Sequence, residues 1–301
     1  MLKNNSNKKS SPLISIGMPV YNNKSTISDA IMTILDQTTT GFELIISDNA
    51  STDGTAEICQ AFADEDKRIR FIQQEINIGS DNNFEFVFQE AIGEFFMWAP
   101  GHYSRSLNFI ESNLKILQGN PLCAFSSSSN FFVGEENTPE RRILFCLEGS
   151  LFKRISMFLD NCWVSHACYY ALFRRSYLED YSNISELFLA NDWAMVMHLL
   201  IKGEFSRSID SLLIVGRGSS VSPHFVASFR TRPIHYLLPL YEFSKRFVKL
   251  IIGAGELTGW EKTTLIHRVF WINISMPLGQ IRASLGRMVR SRLISHKKTE
   301  E

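Results

Sequence analysis

Between residues 13 and 98, short apolar runs alternate with amphipathic ones, and no other feature of the chain constrains its fold as much. LISIGMPVY (13 to 21) has the length and unbroken apolar character of a strand covered on both faces. TISDAIMTILDQ (26 to 37) follows, with Ile27, Ile31, Ile34 and Leu35 on one helical stripe and Thr26 with Asp29 as a capping box. FELIIS (42 to 47) predicts a second strand that stops at Asp48, and the turn NASTDG leads into the helix TAEICQAFADED. RIRFIQ (68 to 73) predicts a third strand, NFEFVFQEAIG (83 to 93) another helix, and EFFMW a fourth strand. Strands alternating with helices over short connections are βαβ units, whose right-handed crossovers build a parallel sheet. Ligands of open sheets of this kind sit at the carboxyl ends of the strands, so the residues after each strand become the candidates for chemistry.

The pattern continues with a helix over 107 to 118, then the apolar segment LCAFSSSSNFFV (122 to 133), a strand carrying a serine run. After the polar GEENTPERR it loosens into a helix near 150 to 159, the segment ACYYALFRRSYL (167 to 178) and a helix from Asp192 to Lys202. From about residue 234 helices dominate, at 234 to 252, 260 to 274 and 279 to 294. The expected organisation is a disordered tail over 1 to 12, an α/β domain over 13 to 225 and a helical, basic extension over 226 to 301. Between Lys262 and Lys298 there are eight Lys or Arg residues and no acid, and in the last helix Ile281, Leu285, Met288, Val289 and Leu293 share one face. A basic amphipathic helix of this kind is expected either to attach to an anionic membrane surface, each basic residue contributing about 1 kcal/mol, or to pack on its own domain with its arginines solvated.

Over the whole chain charge is balanced: 31 basic residues meet 31 acidic ones, which gives no field for nucleic acid. Five scattered cysteines show neither CxxC spacing nor metal-ligand partners, so they are expected to be reduced and mostly buried. The amino-terminal MLKNNSNKKSS lacks a signal-peptide core, and there is no run of 18 apolar residues. The expectation is a cytoplasmic protein, either free or peripheral on the inner face of a membrane.

Two strand ends carry the first chemical signal, Pro19-Val20-Tyr21-Asn22 and Asp48-Asn49-Ala50-Ser51-Thr52-Asp53-Gly54. An aromatic ring beside a carboxylate at adjacent strand tips makes a slot for a flat base: Tyr21 can stack on it, and Asp48 can accept from a ring N–H or a ribose hydroxyl. Asp53 reads as a turn and helix-cap residue. The chain lacks a G-x-G-x-x-G turn after the first strand, which removes a dinucleotide oxidoreductase from consideration.

MPVYN, SDNASTDGT, NIGSDNNF and, much later, NDW ahead of a helix occur in an order and spacing that resemble the inverting family-two glycosyltransferases of the GT-A fold. The resemblance implies a Rossmann-like, mostly parallel sheet flanked by helices, with a C-terminal helical extension. It implies a sugar moved with inversion from a nucleotide-sugar donor to a glycan or lipid-linked acceptor in cell-surface polysaccharide or glycolipid synthesis. By that resemblance Pro19, Tyr21 and Asp48 hold the base, Asn77, Gly79 and Asn83 shape the neighbouring wall, and Asp192 is the general base. Family members carry metal-binding aspartates after the fourth strand; here Pro100, Gly101, His102 and Tyr103 stand instead. Mg²⁺ and Mn²⁺ require hard oxygen ligands, so no metal or other cofactor is expected, and His102 alone is a candidate ligand. The donor diphosphate is then expected to meet His102, Tyr103 and Arg217, in VGRGSS, with Arg105 an ordinary surface arginine. The competing expectation is a catalytically silent relative that keeps the fold and serves as a binding or scaffold subunit.

Overall fold

The computed structural model describes residues 12–101, 103–132, 143–181, 184–186, 188–215, 229 and 231–275. Its first hundred residues alternate as expected: β1 (Ile14–Val20), α1 (Ile27–Leu35), β2 (Phe42–Asp48), α2 (Thr55–Glu65), β3 (Ile69–Gln73), α3 (Ser80–Gln89) and β4 (Phe95–Trp98). β1 lies between β2 and β4 and is parallel to both, and β3 continues the parallel run beyond β2. The central strand is buried at every position from Ile14 to Val20, which is why its sequence is apolar without alternation. β4 is covered on both faces. Phe95 and Met97 join the cluster under α1 and α4, while Phe96 and Trp98 meet Phe88 and Phe173, and Trp98 stacks on Tyr169 at 5.2 Å. Gly17, in β1, makes the close approach of α3 possible: a Cβ there would lie 2.6 Å from Val87 Cγ2 and 2.7 Å from Phe96 Cζ.

The rest of the sheet is mixed. β5 (Ser104–Arg105), α4 (Phe109–Gly119), β6 (Cys123–Phe132), α5 (Leu151–Asn161), α6 (His166–Tyr169), β7 (Leu172–Arg174), α7 (Asn191–Lys202) and β8 (Glu204–Val215) follow. The strand order is β3-β2-β1-β4-β7-β6-β8-β5. Short β7 is antiparallel to both β4 and β6, and β6 pairs parallel with β8, so β6 points the same way as β1, β2 and β4. The serine run is accommodated by hydrogen bonding: Asn113 of α4 accepts from Ser126 and donates to Ser128, Ser128 pairs with Ser211, and Ser129 donates to the Ser211 carbonyl. Four cysteines are buried, Cys146 is half-buried, and all five are free thiols.

Local expectations differ in two places. Thr26 makes no side-chain cap with α1; the Asn23 carbonyl takes the N–H groups of Thr26 and Ile27 instead, at 2.9 Å each. β8 is a twelve-residue strand over a stretch to which the sequence reading assigns no element, and its irregular pairing near Ser208–Leu212 hides the alternation that marks a strand.

The chain divides into two compact units, one of Met1–Glu186 with Met195–Ser220 and one of Leu187–Ala194 with Val221–Glu301. The sheet belongs to the first. In the second, α8 (Ile234–Leu237), α9 (Tyr241–Gly253) and α10 (259–275) bury Leu240, Phe243, Phe247, Ile251, Leu265 and Val269. Trp193 meets Phe243 edge-on at 5.8 Å, and Asn273 accepts from the Leu240 N–H. The helix expected over 279 to 294 lies outside the described residues. No described helix is long and apolar enough to cross a membrane.

Candidate functional site

The carboxyl ends of β1 and β2 are tied into one surface. In parallel register Val20 stands opposite Asp48, and the Asn49 N–H donates to the Val20 carbonyl. Asn22 and Ala50 both adopt left-handed backbone, with φ of 51° and 58°, and the two turns lock across each other. Asn22 N–H donates to Ser51 Oγ, Thr52 N–H to Asn22 Oδ1, Asn23 N–H to Thr55 Oγ1 and Lys24 N–H to Asp53 Oδ2. Asp53 also accepts from Thr55, so its role is the structural one that its turn position implied.

On that surface Tyr21 stands 47% exposed, with its ring offered to solvent. Beside it Asp48 is fully buried; its Oδ2 accepts the Ser51 N–H at 3.0 Å, while Oδ1 has no hydrogen-bond partner among the described residues. A buried carboxylate oxygen left unpaired is costly, and a bound N–H or O–H donor relieves the cost. Pro19 is buried within β1 opposite Ser47 and is a strand residue rather than an exposed contact.

The loop after β3 forms the neighbouring wall. Asn77 Oδ1 accepts from Asn49 Nδ2 and from the Gly79 N–H, and Asn49 Oδ1 accepts from the Ile78 N–H. Gly79, at φ 88°, takes a backbone conformation that a side chain would strain. Asn83 corrects its expected place: it is buried, donates to the Ser47 carbonyl and accepts from Ser47 Oγ at 2.6 Å, so it clamps α3 to β2 and leaves Asn77 and Gly79 at the surface. Asp81, in the first turn of α3, has its carboxyl pushed up to about 6 by burial.

Beyond β4 two expectations are overturned. Tyr103 is 1% exposed and packs edge-on against Tyr170 at 4.6 Å, so it is a core residue and presents no surface to a diphosphate. Arg105 is buried rather than a surface arginine: it donates to the Trp98 carbonyl at 3.1 Å and lies over the Phe109 ring, while burial lowers its guanidinium to about 10. The Ala99–Tyr103 turn thus carries no carboxylate, and a buried cation lies next to it. This donor set does not fit a divalent metal. No group of three His, Cys, Asp or Glu among the described residues could hold one. His102 and Arg217 lie outside the described residues.

Asp192 is half-buried near the start of α7, on which Trp193, Met195, Val196, Leu199 and Leu200 are buried as expected. Burial raises its carboxyl to about 6, against the pull of the Trp193 and Asp192 backbone N–H groups. A carboxylate with that value exchanges protons near neutrality, as a general base must.

Sequence reasoning missed Ser47 and Gln74, which complete the clamp behind Asp48: Gln74 Nε2 donates to Ser47 Oγ and its N–H to the Asp48 carbonyl. A serine ending an apolar strand was the available signal.

With this geometry in view, the sequence model described as Glycosyl transferase family 2 matches residues 15–182, a span that includes both strand tips and ends before Asp192. A Bacillus subtilis glycosyltransferase named for teichuronic acid biosynthesis, TuaG, is 30% identical over 128 residues, 42% of this chain and 50% of that protein. GlyG, a glycosyltransferase of Streptococcus pneumoniae, is 36% identical over 85 residues, 28% of each chain. The chain therefore spans half or less of the length of these relatives. Among solved structures, S. aureus TarS 1–349 in complex with UDP-GlcNAc superposes with a TM-score of 0.64 at 17% identity, over 85% of this chain and 71% of that one. The Pyrobaculum calidifontis mannosyltransferase PcManGT, in complex with GDP-Man and Mn²⁺, gives 0.53 at 15% identity, over 86% and 69%. Both likenesses speak to the fold.

Proposed function

Because the chain belongs to glycosyl transferase family 2, we propose that it moves a sugar, with inversion, from a nucleotide-sugar donor to a glycan or lipid-linked acceptor in cell-surface polysaccharide synthesis. The observation that carries this reading is the pairing of exposed Tyr21 with the unpartnered Asp48 Oδ1 at adjacent strand ends. The base stacks on Tyr21, and a ring N–H or ribose hydroxyl supplies the donor that Asp48 lacks. TarS and PcManGT, solved in complex with a UDP-sugar and a GDP-sugar, support a nucleotide-linked donor of this class.

In the proposed reaction Asp192 takes the proton of the acceptor hydroxyl as that oxygen attacks the anomeric carbon. The bond to the diphosphate breaks on the opposite face, and the electron pair leaves with the nucleotide. The carboxylate-free turn after β4 leaves the leaving group to hydrogen-bond donors, and His102 and Arg217 are proposed for that task. The domain proposal is a catalytic region over 13 to 225 and a helical basic extension that holds the enzyme at the cytoplasmic face of a membrane. The absence of the family's aspartates also supports a second reading, a binding subunit without turnover.

A screen of UDP-, GDP- and dTDP-sugars for transfer and slow donor hydrolysis, with EDTA or Mn²⁺, separates the readings. Turnover that persists in EDTA is expected. Turnover that requires Mn²⁺ overturns the metal-free part, and nucleotide binding without turnover under any condition establishes the binding subunit.

A further inference from the structure

A second set of buried polar groups lies where β6 and β8 pair. Ser127 stands opposite Arg207 in the parallel register, so their side chains leave the sheet on one face. Arg207 reaches along that face toward the carboxyl end of β6. Its Nη1 donates to the Ser128 carbonyl at 2.6 Å and to Asn130 Oδ1 at 3.0 Å, and its Nε donates to the Phe145 carbonyl at 3.0 Å. The guanidinium lies over the rings of Phe145 and Phe205, at 5.0 and 5.1 Å. Arg207 is 7% exposed, and Ser127 and Asn130 are fully buried. Three polar atoms of these residues have no hydrogen-bond partner among the described residues: Arg207 Nη2, Asn130 Nδ2 and Ser127 Oγ. The first two flank a bonded pair, Arg207 Nη1 and Asn130 Oδ1, which puts both free N–H groups within reach of one small ligand.

The charge of this guanidinium is not answered by its surroundings. The groups that attract it are the thiols of Cys168 and Cys146. Burial pushes both thiols up, Cys168 to about 12, so near neutral pH they stay protonated and uncharged. Burial also lowers the guanidinium from its ordinary value. A buried cation without a counter-ion is costly, and a water that accepts from both N–H groups leaves that charge in place.

Geometry narrows the choice of anion. A carboxylate or phosphate is gripped as a fork by two parallel N–H groups of one guanidinium, and here every hydrogen of Nε and Nη1 is already engaged. What remains is one guanidinium nitrogen and one amide nitrogen, with the Ser127 hydroxyl on the same face, beneath aromatic rings. That set suits a small spherical anion, which accepts from any direction, better than a planar or bulky oxyanion.

We propose that Arg207 and Asn130, with Ser127 beside them, form an internal halide-binding site that ties β6 and β8 to the segment 143–147. The site requires nothing of the donor slot. Its readout is stability without any nucleotide, so its failure and the failure of the transferase reading are separate results.

The test follows the melting temperature of the full chain as chloride or bromide replaces gluconate at constant ionic strength. A saturating rise of about 2 °C or more is expected, as ligand binding to the folded state alone requires. Arg207→Met is expected to abolish the response. Asn130→Asp sets a carboxylate beside the guanidinium, so this variant is expected to melt at or above the native temperature in gluconate and to ignore halide. An arginine with a structural role alone would not produce that pattern. Crystals of the native protein grown in bromide are expected to show an anomalous peak beside Arg207 Nη2 and Asn130 Nδ2. A native melting temperature indifferent to halide overturns the proposal, even with a bromide peak, which would then be binding at crystal concentration only. A halide response that survives in Asn130→Asp also overturns it, because the ions then bind elsewhere. So does a water at the two nitrogens with no anomalous signal. If Arg207→Met fails to fold, the Asn130→Asp response and the bromide peak still decide.

Discussion

Asp192 shows how one residue's surroundings fix two measurable behaviours. Its carboxyl sits near 6 against an ordinary 3.8, so the folded chain holds that proton more tightly than the unfolded chain does. Stability is therefore present below about pH 4 and is lost as pH rises toward and through 6. Asp192→Asn removes the titration, so its melting temperature is expected to gain on the native protein at pH 7 and to match it at pH 4. If Asp192 is the base, the native enzyme's kcat falls below about pH 6 as the carboxyl protonates, and the Asn variant loses transfer while still binding nucleotide. Undiminished turnover by that variant moves the base elsewhere, and equal stability differences at both pH values show that Asp192 is not desolvated. The signal legible in the sequence was the position of this residue ahead of a helix; its raised proton affinity depends on tertiary burial, which no local pattern encodes.

Among the elements, the parallel half of the sheet was legible, and of the mixed half only β6, expected over 122 to 133, was. β1, β2 and β4 are buried runs, β3 is a half-buried one, and periodic helices separate them, so length and periodicity alone assign them. β5 and β7 have two and three residues, too few to show a period, and they exist because distant strands pair with them. β8 is long, but SRSIDS breaks its alternation where the pairing with β6 shifts. The same limit explains Tyr103 and Arg105: a turn sequence does not say which side chains fold back under the sheet. One of the close approaches in the legible half sits at Gly17, where a Cβ would be pressed between Val87 and Phe96. Gly17→Ala is expected to lower stability by about 1–3 kcal/mol, as overpacking does, read as a fall in melting temperature. Stability equal to that of the native protein would mean that α3 can shift away from β1 without cost.

At the scale of the whole molecule, the fold brings three strand ends to one edge, and the site's polar network is built almost entirely from residues between Val20 and Asn83. Tyr21 and Asp48 each end an apolar run, so their place at adjacent strand tips was legible, and the proposed base slot rests on that placement. The buried clamp of Ser47, Gln74 and Asn83 was not legible, because its three members are brought together only when β2, β3 and α3 pack. Nucleotide binding at Asp48 is the central claim, and calorimetric titration of the full chain with UDP and GDP tests it most directly. The native protein should bind at least one of them with a Kd that EDTA leaves unchanged, and Asp48→Ala should weaken it by about 1–3 kcal/mol through the lost polar contact. Failure of the native protein to bind either nucleotide, or equal affinity in the Asp48→Ala variant, would contradict it.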